Sequence, residues 1–267
     1  MPDPKPIAES PDPIWQRLRG LFTDIDDTIT QDGHITGEVI VAMEQLRNNH
    51  IAVVPVTGRP AGWCDMIARM WPVDGIVGEN GAFYFRYDTK RRHMIRTYYD
   101  SKDVREEKCA RLSSIAEEVI SKVPGAALSA DQRYRETDVA IDFREDVAPL
   151  CMEKVDEIVG IFEKHGATAK VSSIHVNGWF GHYDKLGMTQ RLAIELFSAD
   201  LDQDQDGFTF IGDSPNDAPM FSFFEQSVGV ANVLDYADLC DPKPAWITKE
   251  RSAAGFLEFA ERLLAVR

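Results

Sequence analysis

Short, continuously apolar runs recur along the chain, and each run stops at polar residues. The first three occupy positions 20–23, 51–56 and 75–78. A parallel strand that is covered on both faces has this unbroken apolar pattern. The segments between the runs, at 38–48 and 60–70, carry apolar residues at helical spacing. We therefore predict alternating strands and helices, the pattern of a doubly wound, mostly parallel, Rossmann-like α/β sheet with right-handed crossovers.

The pattern changes after residue 86. Positions 137–143 alternate between polar and apolar side chains, as a half-exposed antiparallel strand does. Residues 87–175 are therefore predicted to form an inserted α+β domain. Its other predicted elements are strands at 91–96 and 168–172 and helices at 103–122 and 147–165.

The doubly wound pattern resumes after this insert. A strand predicted at 208–211 is followed by Ser214-Pro215, which opens a helix with serine as N-cap and proline at the first helical position. Residues 14–86 and 176–267 are therefore predicted to form a single core domain. Its other predicted elements are helices at 184–197 and 252–266 and strands at 227–230 and 245–248.

Composition excludes some classes of function. The 267-residue chain has a net charge of −15 and a sequence pI near 4.8, so a nucleic-acid partner is not expected. A membrane partner is not expected either, because no apolar run reaches the length of a membrane span. The four cysteines are far apart and form no CxxC pair, which favours a reducing, cytoplasmic location. Residues 1–13 are rich in proline and polar residues and are predicted to be a flexible tail.

Candidate functional groups lie where the apolar runs end. Asp24, Thr57 and Asp213 each follow a predicted strand. In an open parallel sheet the ligand crevice lies at the carboxyl ends of the strands, so these side chains are expected to meet there. Asp26 adds another carboxylate close to Asp24, and carboxylates are rarely buried without a partner. A cation held between these acids is the arrangement that the sequence indicates.

These residues resemble the motifs of a known superfamily. Four segments match, in order, the four motifs of the haloacid dehalogenase-like phosphatases: Asp24-x-Asp26-x-Thr28, Thr57-Gly58-Arg59, Lys185 and Gly212-Asp213-Ser214-Pro215-Asn216-Asp217. The position of the insert resembles the subgroup with a large α+β cap. That subgroup includes sucrose-phosphate, trehalose-phosphate and mannosyl-3-phosphoglycerate phosphatases, and phosphomannomutase. The resemblance covers the chain except its N-terminal tail, and it is specific for the core and generic for the cap.

The resemblance implies catalytic roles. Asp24 would be the nucleophile and would form an aspartyl-phosphate that water then hydrolyses. Asp26 would protonate the leaving oxygen and then deprotonate the water, as a general acid and base. Thr28 would help to position Asp26. Lys185 would lie beside the acids and offset their charge.

The resemblance also implies Mg²⁺ as cofactor. The ion would be held by the Asp24 carboxylate, the Asp26 backbone carbonyl and Asp213, with Asp217 contributing through water, and this all-oxygen set suits Mg²⁺. A carboxylate at about 3.5 Å from a phosphate dianion, at an effective dielectric of about 20, meets repulsion on the order of 9 kcal/mol. Attack therefore requires cations, which Mg²⁺ and Lys185 would supply.

Thr57, Gly58, Arg59 and Asn216 are the candidate phosphate- and substrate-binding residues. For Arg59 two alternatives stay open, because it could orient the site or simply pair with a carboxylate. Glu79-Asn80-Gly81, at the end of the third apolar run, could contact substrate or simply form a turn. In the insert, four of the arginines could bind a substrate anion, although a solvated face is the favoured interpretation. They are Arg91, Arg92, Arg133 and Arg135.

The function implied is a Mg²⁺-dependent phosphomonoesterase that acts on a small phosphorylated metabolite. The resemblance makes a sugar phosphate the expected class of substrate. One alternative is a phosphomutase, in which the phosphoenzyme would have to survive water. Another is a catalytically idle binding or regulatory protein. The sequence does not indicate the oligomeric state.

Overall fold

The computed structural model describes residues 3–172, 174–236, 240 and 242–267. The described helices are Asp12–Gln16 (α1), Gly37–Asn48 (α2), Ala61–Met70 (α3), Lys102–Lys122 (α4), Met152–Lys164 (α5), Lys185–Phe197 (α6), Ala218–Phe223 (α7) and Ser252–Leu264 (α8). The described strands are Lys5–Pro6 (β1), Gly20–Thr23 (β2), Ala52–Pro55 (β3), Ile76–Gly78 (β4), Phe83–Asp88 (β5), His93–Tyr98 (β6), Ala127–Leu128 (β7), Val139–Asp142 (β8), Thr168–Val171 (β9), His175–Trp179 (β10), Phe208–Gly212 (β11), Val228–Gly229 (β12) and Trp246–Ile247 (β13). Within these residues, no helix combines the length and the apolar character needed to span a membrane.

A six-stranded parallel sheet organises the core, in the order β1-β13-β12-β11-β2-β3. Successive side chains of its central strands enter apolar clusters on opposite faces: Leu21 and Ile211 belong to one cluster, Phe22 and Phe210 to the other. The unbroken apolar runs arise because both faces are covered. The predicted strands and the doubly wound α/β fold are confirmed. β3 ends at Pro55 on the edge of this sheet, where the lack of an N–H donor costs least.

Two smaller antiparallel sheets complete the structure. One is the hairpin extension β4-β5-β6, which touches the central sheet through a parallel bridge between Val56 and Val77. The other, in the order β7-β8-β10-β9, packs against α4 and α5 around its own apolar cluster. We call this second sheet, its two helices and the loops that connect these elements the cap unit. Its last strand runs to Trp179, whereas the sequence analysis ends the inserted domain at 175; these domain bounds stay a prediction.

The helix predicted at 147–165 begins later in the structure, at Met152. The backbone before it is held by Asp142, whose carboxylate accepts the N–H groups of Arg144, Glu145 and Asp146 at 2.8–2.9 Å. An aspartate that caps its own following turn competes with helix formation. This turn matters for the site, since it presents Glu145 toward the core.

The prediction of a loose tail over residues 1–13 is wrong for the part that the structure describes. β1 pairs in parallel with β13, and the side chain of Ile7 is buried in the core. Ser10 is buried as well, and its hydroxyl accepts a hydrogen bond from the Trp15 indole at 2.7 Å. The prolines suggested disorder, but they are compatible with the extended backbone that adds an edge strand to the sheet.

Candidate active site

The first acidic motif lies at the carboxyl end of β2. The backbone N–H of Asp24 continues the pairing with β11 by donating to the carbonyl of Ile211 at 2.9 Å. Asp213 follows β11 at the same edge of the sheet, and the side chains of both aspartates are buried. The parallel register of the two strands is therefore what brings acids from distant parts of the sequence together.

Lys185 lies at the first position of α6 and is buried among these acids. The helix is capped by Asp184, whose carboxylate accepts the N–H of Gly187 at 2.7 Å. The Lys185 ammonium donates to Asp24 Oδ1 at 2.8 Å and to Asp217 Oδ1 at 2.7 Å. Burial alone would lower the pKa of Lys185, but the charges of Asp217 and Asp24 raise it above its ordinary value. The ammonium therefore stays charged beside Asp24.

Asp217 belongs to the loop that follows β11. Its Oδ2 accepts the backbone N–H groups of Asp213 and Ser214 at 3.1 and 3.4 Å, and Ser214 forms a capping box with it. The predicted N-cap at Ser214 and proline at 215 are confirmed, although the first turn is a 3-10 turn that leads into α7. Asp217 therefore fixes both Lys185 and the loop that carries Asp213.

Three buried carboxylates could hold a metal ion here. Asp24, Asp213 and Asp217 each present an oxygen within 4.8 Å of the others. Burial, followed by the charges of Asp217 and Asp26, raises the pKa of Asp24 to about 7, against the opposing effect of Lys185. Burial and the charge of Asp24 raise the pKa of Asp213 well above its ordinary value. Such raised values mean that the single ammonium leaves negative charge uncompensated, so an oxygen-binding divalent cation fits this set.

The surroundings of Asp213 include a residue that the sequence analysis missed. Asn232 donates through Nδ2 to Asp213 Oδ2 at 3.2 Å and to the backbone carbonyl of Asp27 at 3.0 Å. Its own carbonyl oxygen accepts the N–H of Ser252 at the start of α8. Thr28, predicted to position Asp26, instead donates to Asp213 Oδ1 at 3.3 Å. Both side chains therefore orient Asp213.

Asp26 is held by Arg59. Nε of Arg59 lies 3.1 and 3.0 Å from the two carboxylate oxygens, and Nη2 lies 2.7 Å from Oδ1. The same Nη2 donates to Glu145 Oε1 at 3.0 Å, and Nη1 lies 3.5 Å from Asp131 Oδ2. Arg59 therefore pairs with carboxylates, and whether it also orients the site stays a prediction.

The other candidate phosphate ligands lie around a cleft that is also lined by Asp24 and Asp26. Gly58, Asn216 and Ser214 line it together with Asp24 and Asp26. Thr57 is fully buried below it, and its hydroxyl accepts the backbone N–H of Arg59 at 3.0 Å. The roles predicted for Thr57, Gly58 and Asn216 in phosphate binding are compatible with these positions and remain proposals.

The cap unit forms the other wall of the cleft. Arg135, His175 and Asn177 from this unit line it opposite the acids. Arg135 is not on a solvated face, because only 1% of its side chain is exposed and it pairs with Asp131 and Asp138. It also donates to the carbonyl of Gly58 in the core at 2.9 Å. A buried, fully paired arginine joins the two units here.

Glu79 forms a second connection between core and cap unit. It is fully buried in a turn, and its carboxylate accepts the backbone N–H of Ala61 at the start of α3 at 2.9 Å. It also accepts the N–H groups of Glu136 and Thr137, at 2.9 and 2.7 Å, and the hydroxyl of Thr137. The turn alternative for Glu79-Asn80-Gly81 is the one observed, but the glutamate does more than close a turn.

Comparisons with known proteins identify a family model and curated relatives that this chain resembles. The family model described as haloacid dehalogenase-like hydrolase matches residues 21–138. The phosphoglycolate phosphatase of Pyrobaculum islandicum is 24% identical over 249 residues, covering 92% of this chain and 95% of that protein. The phosphoglycolate phosphatase of Natronomonas pharaonis is 25% identical over 250 residues, covering 91% of this chain and 96% of that protein.

Solved structures share the fold. A Thermoplasma acidophilum protein superposes with a TM-score of 0.70 at 17% identity, covering 94% of this chain and 99% of that chain. The C-terminal domain of trehalose-6-phosphate phosphatase from C. albicans has a TM-score of 0.71 at 13% identity and covers 99% of each chain. The sucrose-phosphatase of Synechocystis has a TM-score of 0.63 at 15% identity, covering 92% of this chain and 98% of that chain.

Proposed function

We propose that this chain, which matches the haloacid dehalogenase-like hydrolase model over residues 21–138 and resembles phosphoglycolate phosphatases over most of its length, is a Mg²⁺-dependent phosphomonoesterase acting through an aspartyl-phosphate at Asp24. The observation that carries this proposal is the contact of the Lys185 ammonium with Asp24, beside Asp213 and Asp217. A buried nucleophile next to a fixed cation is suited to a substrate that brings negative charge. The proposal keeps the predicted roles of these residues and of Asp26.

The chemistry uses the two aspartates of the first motif. An oxygen of Asp24 forms a bond to phosphorus while the bond to the ester oxygen breaks, and Asp26 gives a proton to the leaving oxygen. Water then attacks the phosphorus of the aspartyl-phosphate and Asp26 accepts its proton, while the bond from phosphorus to the Asp24 oxygen breaks, so that free phosphate leaves and the Asp24 carboxylate is restored. Thr57, Gly58 and Asn216 are proposed to hold the transferring phosphoryl group.

The proposed metal site consists of the carboxylates of Asp24 and Asp213, the backbone carbonyl of Asp26, and Asp217 through water. When bound, Mg²⁺ supplies positive charge that offsets the repulsion between the nucleophile and the phosphate. Lys185 holds Asp24 and Asp217 together, and Thr28 and Asn232 orient Asp213. This chain therefore supplies an ordered set of oxygen donors.

The proposed substrate is a small phosphorylated metabolite. The structural neighbours named above include sugar-phosphate phosphatases, and the curated relatives are named for phosphoglycolate. Phosphoglycolate and phosphorylated sugars are accordingly the first compounds to assay. A cytoplasmic location stays a prediction of the sequence.

The test is turnover of p-nitrophenyl phosphate and of this panel, scored by released phosphate. Wild type is expected to require Mg²⁺ and to lose activity in EDTA, with recovery when Mg²⁺ is added. Asp24→Asn should lower turnover by at least about 10⁴-fold, because the amide is not a nucleophile. Asp156→Asn, which replaces an exposed aspartate of α5 outside the site, is the matched control.

The outcomes separate the alternatives. An Asp24→Asn variant with the wild-type rate would remove the mechanism. Isomerised sugar phosphate in place of free phosphate would indicate a phosphomutase. Full inactivity of wild type across the panel with Mg²⁺ present would favour the binding or regulatory protein.

A further inference from the structure

Arg59 lies where the core meets the cap unit, and its charge is already neutralised. Its side chain is only 7% exposed, and carboxylates from Asp26, Asp131 and Glu145 surround it. Its guanidinium also lies over the Trp63 ring, 4.7 Å from the centroid. An arginine in this environment could bind a substrate phosphate only by giving up ion pairs that are largely shielded from water, which is costly.

The contact with Asp26 fixes the geometry of that carboxylate. Nε and Nη2 approach it side by side, with distances of 2.7–3.1 Å to its oxygens. A guanidinium that binds a carboxylate through two nitrogens restricts both its position and its plane, which a single ammonium cannot do. Asp26 is otherwise partly open, with 23% of its side chain exposed.

The same arginine reaches into the cap unit. Glu145 Oε1 accepts from Arg59 Nη2 at 3.0 Å, while Glu145 Oε2 lies 2.8 Å from Nε2 of His175 in β10. His175 is buried, and the turn that carries Glu145 is capped by Asp142. Contact with His175 and the charge of Arg59 lower the pKa of Glu145 to about 2. A continuous polar path therefore runs from the cap unit to Asp26.

We propose that Arg59 is a positioning residue that acts through Asp26, and that Glu145, supported by His175, holds Arg59 in place from the cap unit. This inference deepens the proposed function and rests on it. Docking of the cap unit then does two things at once, because it covers the cleft and aligns the proton donor. Arg59 itself does not touch the substrate phosphate.

This role predicts a dependence on the leaving group. p-Nitrophenolate departs without a proton, whereas an alkoxide needs one from Asp26. The ratio kcat/KM reports the steps up to the first irreversible one, which includes departure of the leaving group. Misalignment of Asp26 should therefore lower kcat/KM for an alkyl phosphate much more than for p-nitrophenyl phosphate.

The experiment measures kcat/KM for both kinds of ester with Arg59→Gln, Arg59→Lys and Glu145→Gln, in Mg²⁺ buffer. The alkyl phosphate is the one that wild type hydrolyses fastest in the substrate panel. We expect Arg59→Gln and Arg59→Lys to lose about 10- to 100-fold with the alkyl phosphate and less than about threefold with p-nitrophenyl phosphate. Glu145→Gln should show the same selectivity at smaller size, and Asp26→Asn sets its upper limit.

Glu117→Gln is the matched control, since Glu117 is an exposed acid of α4 in the cap unit. It should leave both kcat/KM values unchanged. Thermal unfolding of every variant identifies any that fail to fold. If the Arg59 variants unfold, Glu145→Gln still decides, because its side chain is 30% exposed and lies in a turn.

Equal losses with both esters would overturn the inference and would return Arg59 to phosphate binding. Unchanged values in the Arg59 variants would overturn it as well. Both results leave the proposed function standing, because Asp24 and the Mg²⁺ requirement are tested separately. Wild type without phosphatase activity would remove the proposed function and this inference with it.

Discussion

At the scale of single residues, Asp24 and Glu79 are two buried acids whose pKa values are raised by the same main cause in different surroundings. Burial raises the pKa of each to about 7. The Lys185 ammonium opposes the rise in the pKa of Asp24. Glu79 instead lies near Asp138, whose charge raises its pKa further, and its carboxylate accepts backbone N–H groups. Glu79 is outside the proposed metal site, so its titration can be studied without changing the residues of that site.

Glu79→Gln should change how stability depends on pH. The folded state keeps the Glu79 proton to about pH 7, whereas the unfolded chain releases it near its ordinary value of 4.5. The folded state therefore binds more protons in this window, and wild-type stability falls as pH rises through it. Without this titration, the stability of the variant relative to wild type should rise by on the order of 3 kcal/mol from about pH 4.5 to 7.

Urea unfolding across this pH window measures that difference. Glu163→Gln, which replaces an exposed acid of α5, is the control and should show a constant offset. A constant offset for Glu79→Gln too would mean that the hydrogen bonds to its carboxylate outweigh burial and keep it ionised.

At this scale the sequence predicts the residues that belong to motifs, and no others. Asp24, Lys185 and Asp213 could be found because each has a recognisable neighbourhood, and the structure brings them together. Asn232 could not, since it lies in a short 3-10 helix, Ala231–Tyr236, and carries no motif. Glu145 could not be predicted from the sequence either, because an acid after a strand indicates a function only once its distant partner, here Arg59, is known.

At the scale of elements, the start of α6 is held by the turn Glu79–Gly81. Gly81 has a φ of +104°, and a Cβ there would lie 1.9 Å from the carbonyl oxygen of Asp184 and 2.9 Å from the N atom of Lys185. Glycine therefore lets the turn touch the backbone that carries Lys185. The turn and the helix cap form one support for Lys185.

Gly81→Ala should reduce both stability and turnover. The added methyl must push the N-terminus of α6 away, since the atom it meets is backbone, and Lys185 moves with it. We expect a loss of about 3 kcal/mol in the free energy of unfolding and at least a tenfold loss in kcat/KM for p-nitrophenyl phosphate, roughly what a misplaced catalytic group costs.

Gly33→Ala separates backbone strain from collision. Gly33 also has a positive φ, +74°, but a Cβ there meets nothing within 4 Å. It should lose about 1 kcal/mol of stability with activity unchanged. If both alanine variants behaved alike, contact between the turn and α6 would have no role in placing Lys185.

Elements differ in how well their sequences specify them. β2, β3 and β11 were predictable because burial on both faces leaves an unbroken apolar run. The start of α5 was not, since residues from 147 onward have helical spacing while Asp142 caps the turn before them. Hydrogen bonds from a side chain to nearby backbone override a hydrophobic pattern at such boundaries.

At the scale of the whole molecule, the sequence predicted an insert but not how it meets the core. The contacts that join them include those from Arg59 to Glu145 and from Glu79 to Thr137. They involve polar residues without periodicity, so no pattern in the sequence reports them. Both the cleft and the proposed alignment of Asp26 depend on this interface, which explains why the motifs indicate the chemistry and leave the substrate open.

The N-terminal segment also belongs to the whole molecule, and its deletion should destabilise the fold without changing catalysis. Removing residues 1–10 strips β1 from the edge of the central sheet, exposes the pocket of Ile7, and removes the Ser10 carbonyl that accepts from Arg262 at 2.7 Å. Burial of one isoleucine and a few hydrogen bonds amounts to about 3 kcal/mol.

For a chain of this size such a loss corresponds to a Tm lower by roughly 6–12 °C, which calorimetry resolves. Turnover at 25 °C should stay at the wild-type value, because β13 and β12 separate β1 from the strands that carry Asp24 and Asp213. Lys5→Ser, at an exposed position of β1, is the control and should leave Tm nearly unchanged. An unchanged Tm after the deletion would restore the loose tail that the composition suggested, and would leave the core complete from residue 11 onward.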